Sequence, residues 1–267
     1  MAEATWPFEL LDLRSPGPYA AADIEARLKK RQDPQGRRPG LIVSADGSAL
    51  RAARCLRRRI PGLEVFAVVP NMTAYVRMVS QLGAPKAGLR IAQQAGLSAL
   101  IGTGFYMPRE VRGVLANDFR AVMRILFHFE LRQFKSLSPA CVFLHPQIAD
   151  LAFAFGNAKL LADFMGRVSD VIPGTSAGFG TNNLGLLADR RAAWKLPDTP
   201  ILAPFNAQGF LMKPDRGRCE ALAREAGRRI VADRISVPPG TEPDAVRYLR
   251  GFAGIHAAVV ETPELAR

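Results

Sequence analysis

Ala140-Cys141-Val142-Phe143-Leu144 is an apolar run that stops at His145-Pro146-Gln147 and gives way to an amphipathic stretch. The same order recurs down the second half of the chain. Val171-Ile172 is followed by Gly174-Thr175-Ser176, Ile201 to Pro204 by Asn206-Ala207-Gln208-Gly209, Ile230 to Ala232 by Asp233-Arg234, and Ala257 to Val260 by Glu261-Thr262. Each unit reads as β-strand, loop, α-helix, because a short continuous apolar run suits a strand buried on both faces and the stretch after it carries helical periodicity. The helices are expected over Asp150 to Arg167, Asn182 to Trp194, Asp215 to Ala226 and Pro243 to Phe252, with Asp215 an N-cap.

The first half continues the pattern. Phe8 to Leu13 alternates as a first strand and is stopped by Pro16-Gly17-Pro18; a helix follows from Ala20 to Lys30, with Ile24 and Leu28 four apart. Leu41-Ile42-Val43 and Val65 to Val69 read as strands, each leading into a helix, the second of them running from Thr73 to Leu82 with Gly83 as C-cap. Leu89 to Leu97 reads as a helical segment, Ala99-Leu100-Ile101 as a strand and Met107 to Asn117 as a long loop. Asp118 caps a strong helix from Phe119 to Leu137. With about eight or nine strands alternating with helices, the expected fold class is α/β, a (β/α)8 TIM barrel formed by a single domain over residues 1–267, with 1–40 irregular or flexible in part. A doubly wound dinucleotide-binding sheet would offer Gly-x-Gly-x-x-Gly after an early strand, and Gly102-Thr103-Gly104 is followed by Met107 where the third glycine should stand.

The 267 residues are 48% hydrophobic, enough for a sizeable core, and no apolar run approaches the roughly 20 residues that span a bilayer. Three widely spaced cysteines, Cys55, Cys141 and Cys219, fit a reducing compartment, and no leader is visible at the start, so a cytoplasmic location without membrane partners is expected. The net charge of +12 is concentrated early, at Lys29, Lys30, Arg31, Arg37 and Arg38 and again from Arg51 to Arg59, where Arg51, Arg54 and Arg58 share a helical face. Such a patch suits an acidic partner. No nucleic-acid motif accompanies it, so nucleic acid is not the expected partner; the same field draws in a small anionic substrate, and a homo-oligomer is compatible with these totals.

In a parallel barrel the loops after the strands share one face, and chemistry is placed there. Strand-end residues are therefore the candidates. His145 follows a strand too apolar to be exposed and is the expected proton-transfer residue; Asn206 and Gln208 complete the catalytic candidates by orienting substrate. Substrate-binding candidates are Arg234, Asp233, Asn182, Thr175, Ser176 and Glu261. Arg234 can hold a carboxylate, Glu261 can act as a base, and the glycine-rich Gly174 to Gly180 turn can present backbone N–H groups to an anion. Lys213 lies beyond its strand and reads as a solvated loop lysine, and the scattered His128, His145 and His256 do not suggest a metal.

From about Leu131 onward the chain resembles the aldo-keto-reductase-like TIM barrels, and among them the small aldolase-type relatives. The matching pieces are Val142-Phe143-Leu144-His145, Pro204 to Pro214, and Pro243 to Leu249 followed by Gly254 to Val260. The resemblance implies the barrel, and in the reductases the turn after the last strand helps to bind NADPH. The chain departs from that pattern. The reductases' tyrosine and lysine have no counterparts at the expected places, and Glu261-Thr262-Pro263 stands where a group for the 2′-phosphate is needed. The expected activity is that of a lyase, aldolase or isomerase working by general acid/base chemistry on a small polar or anionic metabolite, with no cofactor. The alternatives are an NADPH-dependent oxidoreductase and a non-catalytic barrel serving as an assembly or nucleic-acid-binding component.

Overall fold

Eight parallel strands close on themselves in sequence order. The computed structural model describes residues 6–15, 17–31, 39–82, 118–225, 227–236 and 242–261. Within them the order is β1 (Glu9–Leu13), α1 (Ala21–Lys30), β2 (Gly40–Ser44), α2 (Gly47–Arg59), β3 (Val65–Val69), α3 (Met72–Leu82), α4 (Phe119–Phe134) with a 3-10 turn at Lys135–Leu137, and β4 (Cys141–Leu144). Then come α5 (Pro146–Ala154), α6 (Ala158–Val171), β5 (Ser176–Gly180), α7 (Leu184–Trp194), β6 (Ile201–Pro204), α8 (Arg216–Arg224), β7 (Ile230–Asp233), α9 (Glu242–Leu249) and β8 (Ile255–Val260). This is a (β/α)8 TIM barrel. β3 pairs directly with β4 and β1 with β8, which closes the ring, and the sequence places one further expected strand at Ala99–Ile101. That segment lies outside the described residues, as do the expected cap at Gly83, the helix at Leu89 to Leu97 and the loop from Met107 to Asn117. Among the described residues no helix is long and apolar enough to cross a membrane.

Strand alternation divides the core into two. Leu10, Ile42, Phe66, Val68, Cys141, Phe143, Leu202, Val231, Ala257 and Val259 pack together inside the barrel, closed below by Trp6, whose ring meets Phe66 edge-on at 4.9 Å. Their neighbours, among them Leu11, Leu13, Leu41, Val43, Val142 and Leu144, face outward and pack on the helices. Helix starts follow capping chemistry: Asp46, Asp118, Asn157, Asn183 and Asp215 each accept a backbone N–H from the first turn of the helix that follows.

Two expectations about the middle of the chain are corrected. Val171 and Ile172 are the last residue and the C-cap of α6; the strand is the glycine-rich Ser176–Gly180, paired with β4 from Cys141↔Ser176 to Leu144↔Phe179. It carries little apolar bulk because Phe143 fills the interior beside it: a Cβ on Gly178 would stand 2.7 Å from the Phe143 ring. The supposed anion-binding turn is thus mostly strand. The single helix expected over Asp150 to Arg167 is two, broken at Phe155-Gly156-Asn157, where Gly156 takes φ +69° and Asn157 caps α6.

The basic helix α2 is partly engaged within the molecule. Arg54 donates to the Gln133 carbonyl at 2.8 Å, Arg57 to the Leu63 carbonyl, and Arg59 pairs with Glu25 at 3.5 Å. Arg51 and Arg58 remain exposed.

Candidate functional site

The polar residues at the barrel mouth follow from a period of two. Leu10, Ile42, Phe143, Val231 and Val259 point inward, so the residues two further on, Asp12, Ser44, His145, Asp233 and Glu261, point to the same axis where the strands end. All five line a cavity of about 860 Å³. Arg14 and Tyr19 from the β1–α1 loop, Asn71 and Arg77 from β3–α3, Asn182 after β5 and Arg234 after β7 also line it.

Arg14 is at the centre. Its Nε and Nη2 donate to Asp12 at 2.8 and 2.6 Å, and its Nη1 and Nη2 donate to Asp233 at 2.9 Å each. The guanidinium is therefore held edge-on by two carboxylates, in the fork geometry that arginine and not lysine can satisfy. These side chains are largely withdrawn from water, at 19% exposure for Arg14, 16% for Asp12 and 13% for Asp233. Burial alone would lower the Arg14 pKa, but the charges of Asp12 and Asp233 outweigh it and hold the pKa well above the usual arginine value. Burial likewise pushes Asp233 up, and Arg14 outweighs it, so Asp233 stays below the usual carboxylate range. The Arg14 carbonyl accepts from Ser44 Oγ at 3.0 Å, and Tyr19 donates from its hydroxyl to the Ser15 carbonyl at 2.6 Å, which pins the β1–α1 loop over the mouth. Tyr19 is pushed up to about 12 by burial and by the neighbouring Asp12 and Asp46.

His145 follows β4 directly and caps α5. Its Nδ1 accepts the Gln147 N–H at 3.3 Å, which leaves Nε2 as the nitrogen that carries the proton of the neutral ring. Burial, then the positive charge of Arg14, depress its pKa to about 4 against the opposing pull of Asp233. At neutral pH His145 is therefore an uncharged ring with an N–H donor.

Asp233, Arg234, Asn182 and Glu261, all expected substrate-binding residues, line the same cavity as His145. Arg234 takes a left-handed backbone, φ +52°, fixed on both sides: its N–H donates to Asp233 at 2.9 Å and its carbonyl accepts from Asn206 Nδ2 at 3.2 Å. Its guanidinium is exposed and makes no hydrogen bond or ion pair with the described residues, while its charge helps to lower Asp233. Glu261, at the end of β8 and so across the ring from His145, is likewise unpaired among them. Asn182 is tied to Asp150 of α5, which also accepts from the Thr181 hydroxyl at 2.5 Å.

The other expected site residues lie elsewhere. Asn206 is fully buried and its amide is spent on the loop after β6: Nδ2 donates to the Phe210 and Arg234 carbonyls, and Oδ1 accepts the Phe210 N–H at 2.8 Å. Gln208 is exposed on that loop and does not line the cavity. Thr175 and Ser176 sit where β5 begins, at the opposite end of the barrel from the mouth, with the Thr175 hydroxyl bonded to the Pro139 carbonyl at 3.0 Å. Their displacement follows directly from β5 starting at Ser176 rather than ending before it. Lys213 is exposed and serves through its carbonyl, which accepts the Gly185 N–H at 3.2 Å.

Arg14, Tyr19 and the buried Glu130 of α4 are absent from the sequence candidates. The spacing Asp12-x-Arg14 at a strand end was the available signal for the first. Among the described residues no three His, Cys, Asp or Glu side chains converge to hold a metal ion. Comparison with protein-family models, curated proteins and solved structures finds no match for this chain.

Proposed function

We propose that this barrel is an enzyme that converts a small polar or anionic metabolite by general acid/base chemistry, of lyase, aldolase or isomerase type. The observation that carries the reading is the convergence, at the strand ends of one cavity, of a neutral His145 with the buried Asp12–Arg14–Asp233 array. Perturbed titratable groups gathered in a concave site are the pattern that proton-transfer chemistry requires. In this reading His145 donates a hydrogen bond from Nε2 to an oxygen of the substrate that gains negative charge, Glu261 accepts and returns the proton, and Arg234 holds an anionic group. The Asp12–Arg14–Asp233 array keeps the mouth rigid and fixes the charge that His145 meets.

Glu261 also bears on the cofactor. An acidic side chain at the end of β8 repels a 2′-phosphate, so the reading includes no NADPH. Proton NMR of the protein incubated with a pool of small carboxylated and phosphorylated metabolites tests the proposal. One or more of them is expected to be consumed without added nicotinamide. A pool left unchanged, or changed only when NADPH is supplied, would overturn it.

A further inference from the structure

Glu130 sits in the middle of α4, on the outside of the barrel, yet its carboxyl reaches the wall of the cavity. It is 1% exposed. Both of its oxygens accept the backbone N–H of Asn71, at 2.9 and 3.0 Å, and the Tyr75 hydroxyl donates to it as well. Asn71 is itself a junction. Its Nδ2 donates to the Ala45 carbonyl of the β2–α2 turn at 3.3 Å, and its Oδ1 accepts the Ala74 N–H at the start of α3 at 3.2 Å. Asn71, Met72, Thr73, Val76 and Arg77 all line the cavity, so the carboxyl of Glu130 anchors one side of it from behind.

The bonding leaves this carboxyl as an acceptor only. A buried carboxylate is ordinarily paired with a cation. The elements packed against it offer none among the described residues. β3 has no titratable side chain. On α6, Asp163 is held by Arg120 and Arg124 of α4, and Arg167 acts on His128. Lys135 of the 3-10 turn is exposed. From α3 the titratable group that meets Glu130 is Tyr75. No described charge perturbs Glu130.

We propose that Glu130 is a proton-controlled positioning residue: as a carboxylate it fastens the β3–α3 side of the cavity through Asn71, and as a neutral acid it lets that side loosen. Two changes accompany protonation. The Asn71 N–H loses a charge-assisted bond, about half of whose strength comes from the charge. The Tyr75 hydroxyl then donates to a neutral oxygen, and that bond weakens as well. Burial, opposed by the bonds from Tyr75 and Asn71, pushes Glu130 up to about 7, which places the change in the neutral range. The role holds whichever reaction the cavity supports, and its test needs no turnover.

The test is an NMR titration of the whole chain from pH 5.5 to 8.5, reading the Asn71 amide proton and the Met72 methyl group. Both are expected to shift together with a midpoint near 7, and both shifts should vanish in Glu130→Gln, an isostere that cannot titrate. Tyr75→Phe, which removes a donor to the carboxylate, should move the midpoint upward; it also keeps the test available if Glu130→Gln does not fold. An Asn71 amide that does not titrate, a titration that survives in Glu130→Gln, a midpoint unmoved or lowered by Tyr75→Phe, or an Asn71 shift that leaves Met72 still would each overturn the proposal.

Discussion

Replacing Arg14 by Met removes a cation from between two carboxylates while keeping much of its hydrophobic stem. The side chain makes four hydrogen bonds to Asp12 and Asp233, none longer than 2.9 Å. Breaking a buried ion pair from one side costs about 3–5 kcal/mol, most of it the burden of charges left unpaired. Here each partner keeps some contact with water, 16% for Asp12 and 13% for Asp233, so the lower end applies and Arg14→Met should cost about 3 kcal/mol at pH 7. With a urea m-value of about 3 kcal/mol/M, the midpoint falls by roughly 1 M at unchanged slope. The loss should depend on pH. Asp233 is held below the usual carboxylate range by Arg14, so its contribution is present above the unfolded value of about 3.9 and is lost as pH falls through the folded one. In the variant Asp233 loses the cation that holds it down and is relieved by taking up a proton. The two stability curves should therefore converge as the pH drops below about 4. A deficit under 1 kcal/mol at pH 7, or one that stays constant from pH 7 to 3.5, would refute the account of the array.

Two further substitutions separate structure from binding. Arg234 pays for a left-handed backbone, so Arg234→Gly should be about 1 kcal/mol more stable than Arg234→Ala in denaturant unfolding, while both lose binding of the metabolite identified by NMR to the same extent; equal stabilities would show that the backbone there is unstrained. Asn206→Ala should cost about 1–3 kcal/mol by leaving the Phe210 N–H and the Phe210 and Arg234 carbonyls without their partner, yet leave kcat on any metabolite that is turned over within about threefold, and a selective loss of kcat would return Asn206 to the catalytic set.

The fold was legible because parallel strands buried on both faces announce themselves as apolar runs ended by polar turns. Where that signal failed, the cause is visible. β5 is written Ser-Ala-Gly-Phe-Gly because Phe143 occupies the interior next to it, and a residue with a side chain at position 178 would collide with the ring. Reading that strand as a turn displaced Thr175 and Ser176 by the whole length of the barrel. Half of the site was legible for the same reason as the fold: alternation carries Leu10, Phe143, Val231 and Val259 into the axis and so carries Asp12, His145, Asp233 and Glu261 to its mouth. Alternation does not extend beyond the first residue after a strand. Asn206 stands two residues past β6, where His145 stands one past β4; Phe205 between packs outward on Phe252, ring centroids 5.1 Å apart, and Asn206 turns to its own loop. Arg14 and Glu130 act through partners far away in sequence, Asp233 and Asn71, and no local pattern encodes those meetings.

If proton-transfer chemistry occurs where His145 meets the cavity, as proposed, His145→Asn should remove most of it. Asparagine is among the best helix caps, so α5 keeps its start and the fold its stability, while the Nε2–H donor is lost. Measured on the metabolite that the wild-type protein consumes, at pH 7 and with unfolding midpoints matched, kcat should fall by roughly 100-fold or more, in line with the loss of a donor aimed at developing charge. A kcat within threefold of wild type would contradict the account.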